Sequence, residues 1–391
     1  MTSPLVHLER AWRNAIVYPF LRLIIRNHRA ELPIDLSEVG SVLILRYDKI
    51  GDMIITLPIF RILKTRNPNL KLGILTSESN LEIVRGDEHV DNLFILYRNP
   101  FKLFRELYRI RNVHYDVVLN FIFNRMTSGG LISNLACKDA IKIGQGQEKY
   151  RFYFNALLSL PRGQLHMFEM LVKYVELVFG FSVPEGEMHL RVPTDECSSL
   201  SVNMYLEQNQ LKRRSQGEMK GPNYVVFNIS AGQEDNRMSA DQVLAIAEHL
   251  AVETRIPTIL ISAPHDSDWR LRIVLQIHSE RCLSFPEEGS SSLGEVISLL
   301  QGAVAVVTPH TSIVHIAAAT LTPVCGIFSP LQVNEEWLPY GVKYQFIEAG
   351  EGEPVRSISL QTLKSEITKF LTPFITNGTI QPLASQHHAQ N

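Results

Sequence analysis

The chain has 391 residues, of which 45% are hydrophobic and 20% charged, and its 38 basic and 40 acidic residues give a formal net charge of −2. This composition is typical of a folded enzyme, and the length favours two domains. The near-neutral charge lacks the basic excess of a nucleic-acid-binding protein. Four widely separated cysteines form no C-x-x-C pair, so neither a zinc site nor a redox dithiol is predicted, and scattered thiols suit a reducing compartment.

Residues 1–40 are predicted to be a basic and amphipathic extension that precedes the first domain. Five arginines stand against one acid in residues 1–30. The apolar residues predicted to form a stripe beside them are Trp12, Ile16, Phe20, Leu23 and Ile24. Such a helix lies on an anionic membrane surface or packs on the protein's own body, and both alternatives stay open. Without a cleavage site or an apolar run of about 18 residues, the chain is expected to be cytoplasmic, and peripheral on the inner face of the membrane at most.

Strands and helices alternate from residue 41 onward, which predicts parallel β-α-β units. Short apolar runs such as 41–46 are typical of strands that are buried on both faces. In the first half, strands are predicted at 41–46, 70–75, 92–96 and 116–121, helices at about 54–66, 101–110 and 166–179, and an irregular loop at 144–165.

Residues 207–222 are polar and basic, and they are predicted to link two domains at 41–206 and 223–376. The tail at 377–391 is predicted to be disordered. In the second half, strands are predicted at 224–229, 258–262, 303–307 and 324–328, and helices at 240–253, 266–278, 293–301, 311–319 and 359–371. Ligands of such α/β folds bind at the carboxyl ends of the strands, so we expect a ligand in a cleft between two sheets.

The first segment that points to chemistry, Arg46-Tyr-Asp-Lys-Ile-Gly-Asp52, joins the first strand to the first helix. Gly51 permits a tight turn or the close approach of a ligand. Asp52 stands at the start of the helix, where a carboxylate either serves a ligand or caps the helix.

The second segment, Asn228-Ile-Ser-Ala-Gly-Gln-Glu-Asp-Asn-Arg237, again lies between a strand and a helix. Its small residues Ser230, Ala231 and Gly232 would let backbone N–H groups reach an anion, and Arg237 could bind a phosphate with two N–H groups. A plain turn is the alternative. The chain has no G-K-[ST] phosphate loop and no G-x-G-x-x-G, which argues against a nicotinamide dehydrogenase.

The third segment runs from Val307 to Ala319 and leads a strand into a helix. Thr311 and Ser312 can offer hydroxyl and N–H groups at the helix start, and His315 lies about one turn further along. Alternatively, His310 caps the helix and His315 is a partly buried structural histidine.

Together and in this order, the three segments resemble motifs of glycosyltransferase family nine, the heptosyltransferases of bacterial lipopolysaccharide core assembly. The run 46–58 is similar to the family's R-x-D-[KR]-[IL]-G-D-x-[VI]-x-[TL]-x-P, and the run 308–319 to its [ST]-x-D-[TS]-[GS]-x-x-H-[LI]-[AT]-A-A. Phe328-Ser-Pro330 and Trp337-Leu-Pro339 resemble its F-G-P-T and W-x-P. The similarity covers roughly residues 41–345.

This resemblance implies a GT-B fold, in which two Rossmann-like domains face each other across a cleft. For such an enzyme we hypothesise a direct displacement that inverts the sugar and needs neither metal nor cofactor. It implies an ADP-heptose-type donor on the second domain and a lipid-linked Kdo or heptose acceptor on the first. Asp52 matches the family's catalytic carboxylate, the expected general base, and Asp266 falls near an acid that contacts the donor ribose. The other positions expected to bind the donor are Gly51, Ser230, Ala231, Gly232, Arg237, His310, Thr311, Ser312 and His315.

Two positions depart from the family pattern. His310 stands where the family usually has Asp, and Met238 where a Trp is common. The change from Asp to His removes a fixed negative charge that would face the donor. It therefore raises two alternatives, a transferase that uses another nucleotide sugar, such as a UDP or GDP sugar, and a non-catalytic scaffold that keeps the fold.

Overall fold

The computed structural model describes residues 13–123, 126–214, 223–329 and 335–376. The chain divides into two compact units, Met1–Met188 and His189–Asn391. Each unit is a Rossmann-like α/β domain with one parallel six-stranded sheet, which confirms the predicted fold class.

The first unit contains a sheet in the order β3-β2-β1-β4-β5-β6, and each neighbouring pair of strands within it is parallel. Its strands are β1 (Ser41–Leu45), β2 (Lys71–Ser77), β3 (Asn92–Leu96), β4 (Val117–Asn120), β5 (Ile141–Gln145) and β6 (Ala156–Leu158). Its helices are α1 (Tyr18–Ile24), α2 (Ile50–Ile54), α3 (Leu57–Arg66), α4 (Leu81–Val84), α5 (Pro100–Val113), α6 (Met126–Ala136) and α7 (Met167–Phe179).

The second unit has the same parallel design, with the strand order β12-β11-β10-β7-β8-β9. Its strands are β7 (Val225–Asn228), β8 (Thr258–Ile261), β9 (Cys282–Ser284), β10 (Ala305–Pro309), β11 (Val324–Phe328) and β12 (Tyr344–Glu348). Its helices are α8 (Glu196–Gln208), α9 (Ala240–Glu248), α10 (Ser267–Ile277), α11 (Leu293–Gly302), α12 (Ile313–Ala319) and α13 (Leu360–Thr376).

The central strands are buried along their whole length, as their apolar sequences predict. β1, β4, β7, β8, β10 and β11 have no exposed residue. Burial of such side chains supplies most of the free energy that orders the fold, at roughly 25 cal/mol per Å² of apolar surface. Because the strands are parallel and central, their carboxyl ends form one edge on which loops from distant parts of the sequence meet.

The first predicted helix is split into α2 and α3. Pro58 is at the second position of α3 and has no N–H to donate to the preceding turn. The Thr56 hydroxyl donates to the Asp52 carbonyl at 2.8 Å, which satisfies an acceptor where the helix breaks. The sequence therefore confines α2 to the single turn that carries Gly51 and Asp52.

Several expectations differ from the structure. The run 144–165, expected to be a loop, contains the end of β5 and all of β6. The compact units divide upstream of the linker predicted at 207–222, because α8 belongs to the second unit. Its Ser201 hydroxyl donates to Glu295 at 2.7 Å, and its Tyr205 hydroxyl donates to the Ser284 carbonyl at 2.9 Å.

Some predicted features lie outside the described residues. These are the start of the extension with Trp12, most of the linker at 215–222, Pro330, and the tail at 377–391. Among the helices that are described, none combines the length and apolarity needed to cross a membrane.

Candidate active site

The loop after β1 is organised around a buried arginine. Arg46 is almost fully buried, and its Nε donates to the Asp52 carbonyl at 2.9 Å. One terminal nitrogen lies 3.2 Å from Asp52 Oδ1, and the other lies 3.4 Å from Asp48 Oδ2 and donates to the Phe121 carbonyl. The guanidinium thus holds two carboxylates and the backbone between them in one fixed arrangement.

Asp52 is the third residue of α2, so it is not the N-cap residue itself, but its side chain takes part in capping the start of the helix. Lys49 holds the cap position, and its backbone N–H donates to Asp52 Oδ2 at 3.3 Å. The Asp52 side chain keeps 13% of its surface exposed. A carboxylate that is held on one side and open on the other can accept a proton from a bound hydroxyl. Gly51 is buried inside α2 with φ outside the left-handed region, so the backbone there does not form a turn that requires glycine.

Asp48 is the second carboxylate on Arg46, and it was not among the site residues predicted from the sequence. Burial raises the pKa of Asp48 to about 6; the Arg46 charge opposes this shift, and the neighbouring Asp52 carboxylate adds to it. A like charge nearby disfavours the ionised form of Asp48. The Arg-x-Asp spacing in the motif was the available signal, but only the fold brings both acids to one guanidinium.

In the second unit, Asn228 ties together loops that follow β7 and β10. Its side-chain amide donates to the Thr308 hydroxyl at 2.9 Å and to the Thr311 hydroxyl at 3.3 Å. Its Oδ1 accepts from the backbone N–H of Ser230 at 3.2 Å. β7 and β10 are adjacent at the point where the strand order reverses, the position where α/β sheets bind ligands.

Ser230, Arg237 and Asp266 form one cluster at the ends of β7 and β8. The Ser230 hydroxyl donates to Asp266 Oδ2 at 2.6 Å and accepts from the Ala263 N–H at 2.9 Å. Arg237 donates to Asp266 Oδ1 at 2.8 Å. Asp266 is buried, whereas the Arg237 side chain is 37% exposed. Asp266 therefore holds Ser230 and Arg237 in place, and its expected contact with a donor ribose stays a prediction.

Trp269 completes this cluster, and it too was missed by the sequence analysis. The Arg237 guanidinium lies over the Trp269 ring, 5.6 Å from its centroid. A ring face below and a carboxylate beside the guanidinium restrict its motion. The small residues that precede Arg237 leave space, since Ala231 is buried, Gly232 is exposed, and a Cβ at Gly232 would meet no atom within 4 Å.

The loop after β10 contributes the remaining predicted residues. α12 begins at Ile313, whose N–H donates to the Thr311 hydroxyl at 3.2 Å, and Ser312 is the residue before it. His310 packs edge-on against Phe328, with ring centroids 4.9 Å apart. His315 is buried and packs against Trp337 at 5.9 Å. Asn228 brings Thr311 towards the Ser230 loop, and the aromatic contacts hold both histidines in place.

A metal site would need at least three closely spaced ligands. The part of the chain that the structure describes has no group of three His, Cys, Asp or Glu residues able to hold a metal ion. What the second unit does present at its sheet edge is a fixed, partly exposed guanidinium with hydroxyl groups beside it, a combination suited to an anionic group such as a diphosphate.

Two Rossmann-like domains, each with one parallel six-stranded sheet, have the architecture of a GT-B glycosyltransferase. The chain belongs to glycosyltransferase family 9 (heptosyltransferase), whose family model matches residues 101–363. The match includes every predicted donor-binding residue except Gly51, and it excludes the loop that carries Gly51 and Asp52. The chain is thus a glycosyltransferase-family protein, as the motif resemblance predicted.

Solved structures show the same fold at low sequence identity. The family 9 glycosyl transferase of Veillonella parvula is 15% identical, with a TM-score of 0.69 over 87% of this chain and 99% of that chain. ADP-heptose lipopolysaccharide heptosyltransferase II of E. coli is 16% identical, with a TM-score of 0.65 over 85% and 99%. E. coli heptosyltransferase WaaC with ADP-2-deoxy-2-fluoro heptose is 20% identical, with a TM-score of 0.64 over 84% and 99%. No curated protein sequence matches the chain significantly.

Proposed function

We propose that this protein transfers a sugar, with inversion and without a metal, from an ADP-heptose-like donor to a lipid-linked saccharide of the lipopolysaccharide-core type. The observation that carries the proposal is Arg237, held by buried Asp266 yet partly exposed at the carboxyl edge of β7 and β8. The family and the ADP-heptose chemistry of the two E. coli proteins support the choice of donor.

The second unit would bind the donor diphosphate. Arg237 is the proposed charge partner, and the backbone N–H groups of Ala231 and Gly232 are the proposed hydrogen-bond donors. The Ser230 N–H is already bonded to Asn228, so Ser230 would position the loop through Asp266. Donors fixed before the reaction stabilise the charge that develops on a leaving group most effectively. Thr311, Ser312, His310 and His315 would line the same site from the β10 loop.

The first unit would activate the acceptor. Asp52 would accept the proton of the acceptor hydroxyl as its oxygen attacks the anomeric carbon. The bond from that carbon to the diphosphate oxygen would break, and the electron pair would leave with the nucleoside diphosphate. One displacement on one carbon inverts its configuration. Arg46 would hold Asp52 in position, and approach of Asp52 to a donor on the second unit stays a prediction.

A lipid-linked acceptor would place the enzyme at the inner face of the membrane, in the cytoplasm. α1 supports this part of the proposal, because Phe20, Leu23 and Ile24 are exposed beside Arg22 and Arg26. On its other side, the Tyr18 hydroxyl lies 2.9 Å from that of Thr127. The helix thus packs on the protein with one face and offers an apolar, basic face to a surface.

Nucleotide binding gives the first test. The unfolding temperature of the purified protein is measured with ADP, UDP, GDP and NAD at matched concentrations. We expect ADP to stabilise the protein most, by about 2.7 kcal/mol at a concentration of 100 times Kd. A selective response to UDP or GDP would favour the transferase with another donor, which His310 motivates. No response to any nucleotide would contradict the proposal and favour a scaffold.

Product analysis gives the second test. Purified protein is incubated with ADP-heptose and a Kdo- or heptose-terminated lipid acceptor in a buffer that contains a metal chelator. The masses of the products are then measured by mass spectrometry. We expect a mass increase of one heptose. Transfer that disappears with chelator and returns with added metal would contradict the metal-independent mechanism.

A further inference from the structure

α5 exposes aromatic side chains on the face opposite to its packed side. Phe101 is 87% exposed, Phe104 75% and Tyr108 59%. Their spacing of three and four residues puts them on one face of the helix, whereas Glu106 and Ile110 are buried on the other. Three neighbouring exposed aromatic residues form an apolar patch of the kind that marks an interaction surface.

Basic residues surround this aromatic patch. Lys102, Arg105, Arg109 and Arg111 of α5 are all exposed. The only acid of the helix is Glu106, which is buried and accepts from Arg109 at 2.7 Å. The exposed face of α5 therefore combines aromatic rings with positive charge and no carboxylate.

α6 joins this face to α1 within the first unit. Arg111 of α5 donates to the carbonyl of Leu135 in α6 at 2.7 Å, and the Leu135 side chain is exposed. On the α1 side, Asn27, just after the helix, donates to Asn134 of α6 at 3.0 Å. Two helices with exposed apolar and basic side chains thus flank α6.

α6 also contacts the loop between Arg46 and Asp52, which is proposed to activate the acceptor. Ser128, in the first turn of α6, has its hydroxyl 3.1 Å from that of Tyr47, in the loop between Arg46 and Asp52. A partner that lies against α5, α6 and α1 would therefore be held near the loop that carries Asp52.

We propose that the exposed face of α5 docks the enzyme on an anionic lipid bilayer, together with the apolar face of α1. Aromatic rings partition into the headgroup region, and each lysine or arginine near an anionic leaflet adds electrostatic attraction. The absence of exposed acid on α5 makes the face complementary to negative charge. The inference deepens the proposed function and rests on it for the lipid nature of the acceptor.

Vesicle flotation of the full-length protein tests this surface without donor or acceptor. The vesicles are phosphatidylcholine alone and phosphatidylcholine with phosphatidylglycerol. We expect binding to the anionic vesicles only, weakened by salt. The double variants Phe101→Ser/Phe104→Ser and Lys102→Glu/Arg105→Glu should each lower the partition coefficient at least about tenfold.

Leu275→Ser is the matched control, because Leu275 of α10 is 71% exposed in the second unit. It should bind as the wild type does, and circular dichroism should show all variants folded. Wild-type protein that stays unbound, or a Phe101/Phe104 variant that binds fully, would overturn the proposal. If only the Phe20→Ser/Leu23→Ser variant lost binding, the proposal would also be overturned, because α1 alone would then account for binding to the vesicles.

Transfer assays separate this inference from the proposed function. In the Phe101/Phe104 variant, we expect a raised KM for acceptor embedded in anionic vesicles and an unchanged kcat/KM for a detergent-free, deacylated acceptor. Protein that binds vesicles but transfers no sugar would refute the proposed function and leave the docking surface intact. Equal losses with both acceptors would refute the docking role.

Discussion

The two candidate site regions contain the same charge pair arranged in opposite ways. In the first unit, Arg46 is the buried partner, and Asp52 keeps an exposed side. In the second unit, Asp266 is the buried partner, and Arg237 keeps the exposed side. The buried ion orients the exposed one in each case, so one region presents a carboxylate and the other a guanidinium. A transferase needs both, a base for the acceptor hydroxyl and a cation for the departing diphosphate.

The largest effect should come from Asp52, the partly exposed partner in the first unit. Asp52→Asn keeps the size of the side chain and removes its ability to accept a proton, so kcat should fall by about 10²–10⁴-fold. The measurement is steady-state transfer, with ADP binding followed in parallel by calorimetry. ADP affinity should stay unchanged, and a turnover near that of the wild type would exclude Asp52 as the base.

Arg237, the exposed partner in the second unit, should affect the donor instead. Arg237→Gln removes a charge-assisted hydrogen bond, which is worth about 1.5–3 kcal/mol, so the Kd for ADP should rise about 10- to 100-fold. Lys369→Gln is the control, because Lys369 is exposed on α13. Calorimetry checks both variants, and an unchanged Kd for Arg237→Gln would show that the diphosphate binds elsewhere.

A double-mutant cycle tests whether the buried partner Asp266 acts through Arg237. If Asp266 acts by holding Arg237, then Asp266→Asn and Arg237→Gln should weaken ADP binding by less together than the sum of their separate effects. Calorimetry on the three variants gives the coupling free energy. Additive losses would mean that Asp266 contacts the donor itself, as the family resemblance implies.

The smallest effect should come from Asp48, which shares Arg46 with Asp52. The raised pKa of about 6 means that the folded protein holds this proton more tightly than the unfolded chain, whose Asp has a pKa near 3.8. This contribution to stability is fully present below about pH 4 and is lost as the pH rises through about 6. Asp48→Asn should therefore raise the free energy of unfolding at pH 7.5 by about 1–2 kcal/mol.

Urea denaturation at pH 4.5 and pH 7.5 checks this prediction. The variant should lose less stability than the wild type between these two values. A variant that is less stable than the wild type at pH 7.5 would show that the Asp48 carboxylate stabilises the fold through Arg46.

Much of the fold could be predicted from local sequence. β3 and β11 have the predicted bounds, because short apolar runs between turns suit strands buried on both faces. β5, β6, β9 and β12 were missed. The last three are edge strands, which form only when a neighbouring strand supplies their hydrogen bonds. α6 was missed too, as its Met-Thr-Ser-Gly-Gly start has no strong helical pattern.

The sequence by itself determined the fold class, the family and the three segments that carry the candidate site residues, because these depend on local patterns and motif spacing. Tertiary structure decided which charges meet. Three features depend on which side chains face the core. They are the ion pairs of Asp48 and Asp52 with Arg46, the burial of Asp266 between Ser230 and Arg237, and the exposed aromatic face of α5. Burial and distance set the strength of a charge pair, and neither can be deduced from the order of the residues alone.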